Sequence, residues 1–96
     1  MLIAKVVGSA VATVKLDSLK SSKLLLVSPA DAHGVVAGAP FLAIDLVGAG
    51  EGELVVVSQG SSARVAAGGS TSPVDAAIIG ILDSLRIDGD VAFRKE

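Results

Sequence analysis

The apolar residues of this sequence fall in short runs, interrupted every few residues by glycine, proline or charge. That spacing constrains the fold more than any other feature. The runs are Leu2 to Val14, Lys23 to Ser28, Phe41 to Val47 and Leu54 to Ser58. Between them lie the polar stretch Lys15 to Lys23, the turn formers of Pro29 to Gly34, and Gly48-Ala49-Gly50-Glu51-Gly52. Short apolar runs bounded by glycine-rich turns predict the strands of an all-β barrel or sandwich. The most apolar window, Val35 to Val47, is broken by Gly38, Pro40 and Asp45. No run reaches the roughly 18 uncharged apolar residues of a membrane-spanning helix. The first run contains Ala10-Val11-Ala12, which resembles a leader cleavage site. Lys5 interrupts its apolar stretch and no basic segment precedes it, so it reads as a strand. Gly8, in its middle, predicts a bulge or bend.

Ninety-six residues predict a single domain over 1–96. Leu, Ile, Val and Phe make up 33 of those residues, enough to build a core. The material is small: 15 Ala and 14 Val against 2 Phe. A mean hydropathy of +0.71 is high for a domain this small, which leaves much of its surface exposed. Part of the apolar surface is therefore expected to face another copy or a partner.

The composition also excludes several functions. A net charge of −2 lacks the basic footprint of a nucleic-acid binder, and two aromatic residues make no stacking platform for single strands. Without cysteine there is no disulfide framework, thiolate zinc site or thiol nucleophile, and the lack of disulfides fits a cytosolic protein. His33 is the single histidine, lies in a turn, and has no nucleophile signature near it. No metal, cofactor or catalytic group is expected.

The second half is less regular. Gly60-Ser61-Ser62-Ala63-Arg64-Val65-Ala66-Ala67 suits one or two helical turns, ended by Gly68-Gly69. Ser72, Pro73 and Asp75 then read as a helix start, with Val74, Ile78, Ile81, Leu82 and Leu85 in helical period. Against this, Ile78-Ile79-Gly80-Ile81 is β-branched and contains glycine. Asp88-Gly89 reads as a hairpin turn, which requires strands on both sides; this favours a strand from Ile78 to Ile87 and a last one at Val91 to Phe93.

Three constellations could carry chemistry. The Gly48–Gly52 loop contains G-x-G-x-G but runs into a strand, whereas a dinucleotide loop runs into a helix. The Gly60–Arg64 segment lacks the lysine and spacing of a P-loop, and Arg64 is better read as a maker of structural or inter-subunit hydrogen bonds. Asp45, inside an apolar run, needs a partner; Arg64 or backbone N–H groups are expected to supply it.

The residues that carry a wider resemblance are Ile3-Ala4-Lys5-Val6-Val7-Gly8 with Thr13 to Lys15; Lys23-Leu24-Leu25; Ala43-Ile44-Asp45-Leu46-Val47-Gly48-Ala49-Gly50, Gly52-Glu53 and Gly60-Ser61-Ser62-Ala63-Arg64; and Ser72-Pro73-Val74-Asp75-Ala76 with Gly80-Ile81-Leu82-Asp83. In this order and spacing the chain resembles the small pentameric vertex proteins of bacterial microcompartment shells, the family of the carboxysome and ethanolamine-utilisation vertex proteins. The resemblance implies a mostly β fold: a small OB-like β-barrel with one short helix at Gly60–Arg64 and a C-terminal β-hairpin, mostly strand from Ser72 onward. It implies a structural role without catalysis. Five copies would form a ring at the five-fold corners of a cytoplasmic shell, beside hexameric shell proteins that tile its faces. A cyclic ring joins two different patches of each subunit. The residues expected there are Asp45, Gly48, Gly50, Ser61, Ser62, Arg64, Pro73 and Asp75. Two other classes are weighed against this one: an OB-type module for a small ligand or oligonucleotide, and a nucleotide-binding protein built on the Gly48–Gly52 loop.

Overall fold

The computed structural model describes residues 1–13, 15–19, 22–69 and 72–96. Five strands close into a barrel: β1 (Leu2–Ala10), β2 (Leu24–Pro29), β3 (Phe41–Asp45), β4 (Leu54–Gln59) and β5 (Ala76–Ile81), in the order β1-β2-β3-β5-β4. A helix, α1 (Gly60–Ala66), joins β4 to β5, and the strands β6 (Ser84–Ile87) and β7 (Asp90–Arg94) form a separate hairpin. Closure rests on β3 and β5, which run parallel with Ile44 opposite Ala77 and Asp45 opposite Ile78. The other barrel pairs are antiparallel. A closed barrel leaves no sheet edge open.

Strand alternation sends one set of side chains inward. Ala4, Val6, Leu25, Val27, Ala43, Val55, Val57, Ala76 and Ile78 fill the interior. Valine and alanine dominate because a five-stranded barrel is narrow; two phenylalanines are as much aromatic volume as the chain carries. On the outer side of β3 and β5, Ile44 and Ala77 pack with Ala63 of α1 and with Val74 in a second buried cluster. Ala63 is fully buried, and its methyl group lets the helix approach the strands.

The bulge expected at Gly8 is present: the β1–β2 register shifts between Val6 and Gly8. Three strands differ from the sequence reading by more than a residue at an end. The first run ends as a strand at Ala10, short of Val14, which lies outside the described residues. The third ends at Asp45 and not at Val47. The Asp45 carboxylate accepts the N–H groups of Val47 (3.1 Å) and Gly48 (3.0 Å), and this local capture turns the chain out of the sheet. The strand expected over Ile78–Ile87 is two strands, since β5 begins at Ala76 and leaves the barrel after Ile81.

The helix start suggested at Ser72 does not form. Its hydroxyl accepts the Val74 N–H at 3.3 Å, as a cap would, but the chain stays extended into β5. The β-branched pair Ile78 and Ile79 and the barrel contacts of Ala76 and Ile78 outweigh a local cap. Asp88 and Gly89 form the two-residue hairpin turn as expected, both with positive φ (51° and 83°). Such turns match the strand twist and favour Asp-Gly. Phe93 of β7 sits over Gly34, where an added Cβ would lie 3.1 Å from the ring, so glycine lets the hairpin rest on this turn.

Candidate functional site: the assembly surface

The expected contact residues fall into two groups. Asp45, Gly48 and Gly50 lie where β3 gives way to the glycine loop leading into β4. Ser61, Ser62 and Arg64 lie on α1, and Pro73 and Asp75 on the segment entering β5. These five are brought together: the Gly60 N–H donates to the Asp75 carbonyl at 2.8 Å, and Gln59 pairs with Ala76. The glycine loop belongs to the other end of the β4–β5 pair, where Val55 lies opposite Ile81. One chain therefore presents two separate polar, small-residue groups.

In the loop group, Asp45 follows Phe41 and Ala43 toward the inner side of β3 but sits at its mouth, half-buried. Its partners are the two backbone N–H groups of the next turn and not Arg64. The Gly50 N–H donates to Glu53 Oε1 at 2.7 Å, and Gly52 donates to the Val6 carbonyl at 2.8 Å. Three of the loop amides a phosphate would need, those of Gly48, Gly50 and Gly52, are thus taken by the chain's own acceptors. Two of those acceptors are carboxylates that would repel an anion, which removes the nucleotide-loop reading.

In the helix group, Ser62 donates its hydroxyl to the Gln59 carbonyl and accepts the hydroxyl of Ser58, both at 2.8 Å. Ser58 is one of two buried polar residues among the described residues, and this bond satisfies it at the β4–α1 junction. The helix ends as its glycines predicted, with Gly68 and Gly69 donating to the carbonyls of Val65 and Arg64. Among the described residues, the Arg64 side chain has no hydrogen-bond or ion-pair partner, nor does the exposed Asp75 carboxylate. A half-buried guanidinium with five unused donors is available to another molecule. Beside it Val65 is 68% exposed, and Leu42, Leu46, Val47 and Ile79 also remain uncovered on one chain.

Sequence reasoning did not single out Ser58, nor the pairing of Glu53 with Lys95 at 2.6 Å. Nothing in the sequence signals the ion pair, because its members meet only once the hairpin has folded back. Lys95 and the Gly50 N–H hold the Glu53 carboxyl below its ordinary 4.5, and Glu53 raises the Lys95 ammonium above 10.5. A depressed carboxylate stabilises fully above its ordinary value and loses this as pH falls through the lower folded value. A raised ammonium stabilises fully below its ordinary value and loses this as pH rises through the higher folded value. The stability difference between the parent chain and Glu53→Gln should therefore be constant between 4.5 and 10.5 and shrink outside that window. Thermal unfolding across pH measures it; a difference still undiminished near pH ~3 contradicts it.

Among the described residues there is no cluster of three metal-ligating side chains, and no helix is long and apolar enough to cross a membrane. The fold and its two groups define a small closed barrel with a partly unsatisfied, partly apolar surface. Comparison with known proteins gives the family. The family model described as "Ethanolamine utilisation protein EutN/carboxysome" matches residues 1–83. A bacterial microcompartment shell vertex protein, EutN of Salmonella typhimurium, is 45% identical over 95 residues, covering 99% of this chain and 96% of that protein. A solved ethanolamine utilization protein EutN superposes with a TM-score of 0.92 at 45% identity, covering 100% of both chains. The GrpN pentameric microcompartment shell protein from Rhodospirillum rubrum gives a TM-score of 0.82 at 42% identity, covering 91% of this chain and 99% of that one. The chain belongs to the EutN/CcmL family of microcompartment shell vertex proteins.

Proposed function

We propose that this chain is a structural vertex protein that acts by assembly: five copies close into a ring, and the ring caps a five-fold corner of a microcompartment shell. The observation that carries the reading is the full-length likeness, in sequence and in fold, to shell vertex proteins, one of them described as pentameric. The exposed aliphatic residues support it, since a ring would cover part of them. In this reading the two polar groups meet across each contact, the Asp45–Gly50 loop of one chain facing the Ser61–Arg64 helix and the Pro73–Asp75 segment of the next. A head-to-tail contact of that kind generates a ring when its rotation closes. The role involves no reaction and no cofactor. Its partners are further copies of the chain and the hexameric proteins of the shell faces.

The test is co-expression with hexameric shell proteins of a microcompartment, followed by electron microscopy of the particles. Closed polyhedra with this chain at the corners, and open or extended assemblies when it is omitted, are the expected results. Equally closed particles without it would count against the capping role.

A further inference from the structure

The β6–β7 hairpin stands apart from the barrel sheet, its strands bonded only to each other. A lone two-stranded hairpin is marginal in water, so its position depends on few attachments. At its entry, the Leu82 N–H donates to the Leu54 carbonyl at 2.8 Å. At its exit, the Lys95 N–H donates to the Asp83 carbonyl at 2.7 Å, which closes the hairpin's own base. Phe93 rests on Gly34. Just past β7, the ion pair that ties the hairpin's exit to the barrel among the described residues is the Lys95 ammonium on Glu53 Oε2, at 2.6 Å. Glu53 is held in turn by its other oxygen, which accepts the Gly50 N–H, and by its carbonyl, which accepts the Val6 N–H at 3.0 Å.

We propose that Glu53 is a two-sided latch: one carboxylate fixes the seat of the β6–β7 arm on the barrel and couples that seat to the Gly48–Gly52 loop. The latch lies entirely within one chain and does not rest on the vertex reading. Glu53 and Lys95 are 23% and 42% exposed, so water reaches the pair and it opens without disturbing the core. Such a pair adds little to global stability, but it governs local opening of the element it holds. Lys5, Glu51, Arg94 and Glu96 line the same cleft, and Asp83 faces Lys95. Lys95 is the cation that bonds Glu53, and of the cleft carboxylates Glu53 is the one that also binds the loop amide.

Hydrogen exchange on the purified full-length protein tests the latch. Glu53→Gln and Lys95→Ala should each speed exchange of the 84–94 amides about two- to fivefold, with β1 to β5 unchanged. Lys95→Ala should also speed exchange of the 48–52 peptide, although Lys95 makes no bond to that loop. Unchanged hairpin protection in both variants overturns the latch. A faster hairpin with an unchanged glycine loop in Lys95→Ala overturns the coupling.

Discussion

Replacing Arg64 by alanine is expected to convert the ring into single chains at low micromolar concentration while the barrel stays folded. Arg64 lies half-buried on α1, and its guanidinium has no partner among the described residues. Its loss therefore removes no bond among the described residues, and α1 keeps its backbone and Ala63 its buried seat. Across a subunit contact the same group would supply a planar fork of donors. Truncating a buried interface arginine commonly costs ~2 kcal/mol or more. That is roughly a thirtyfold weakening of each contact, and it repeats at every contact of a cyclic ring. Native mass spectrometry reads the assembly and circular dichroism the fold. An intact ring in Arg64→Ala would remove this residue from the contact. Loss of β-signal would show that the side chain serves the fold instead.

Replacing Ile78 by alanine is expected to do the reverse and destabilise the barrel itself. Ile78 is fully buried and central to β5. It lies opposite Val57 on the antiparallel side and Asp45 on the parallel side, and its carbonyl accepts the Leu46 N–H at 3.3 Å. The parallel β3–β5 pair closes the barrel, so a cavity there weakens the joint on which the topology depends. Ile→Ala in a core costs ~2–5 kcal/mol, against a total of roughly 5–15 for a whole domain. For a chain of this length each kcal/mol shifts Tm by about 4–8 °C. A fall of more than about 10 °C is expected at fixed protein concentration, with Ile78→Val losing only a fraction of it. A fall below about 3 °C would show that neighbouring side chains collapse into the space.

These two substitutions separate fold from assembly, and the sequence exposes the two unequally. The first four barrel strands were legible because each is a short apolar run bounded by glycine or polar residues, and Asp88-Gly89 gave the hairpin turn directly. Strand ends were not legible where a side chain intervened. Asp45 looks like one more strand residue until its carboxylate takes the Val47 and Gly48 amides. The run from Ile78 to Ile87 reads as one strand because nothing local marks Leu82–Asp83 as the point where the chain quits the barrel. At Ser72 the capping chemistry was real and the helix absent, because the demand of Ala76 and Ile78 for the barrel interior is tertiary. The polar groups follow the same division. Arg64 stood out from its own segment, Ser61, Ser62, Pro73 and Asp75 came from the family resemblance, and the fold brings the five together at one end. The Glu53–Lys95 tie, formed by distant residues, needed the structure.

The central claim is that this chain exists as a closed ring of five. Native mass spectrometry at low micromolar concentration tests it most directly. A dominant species of five times the 9.5 kDa chain, unchanged on dilution, is the predicted result. A monomer, or a dimer insensitive to concentration, would contradict it.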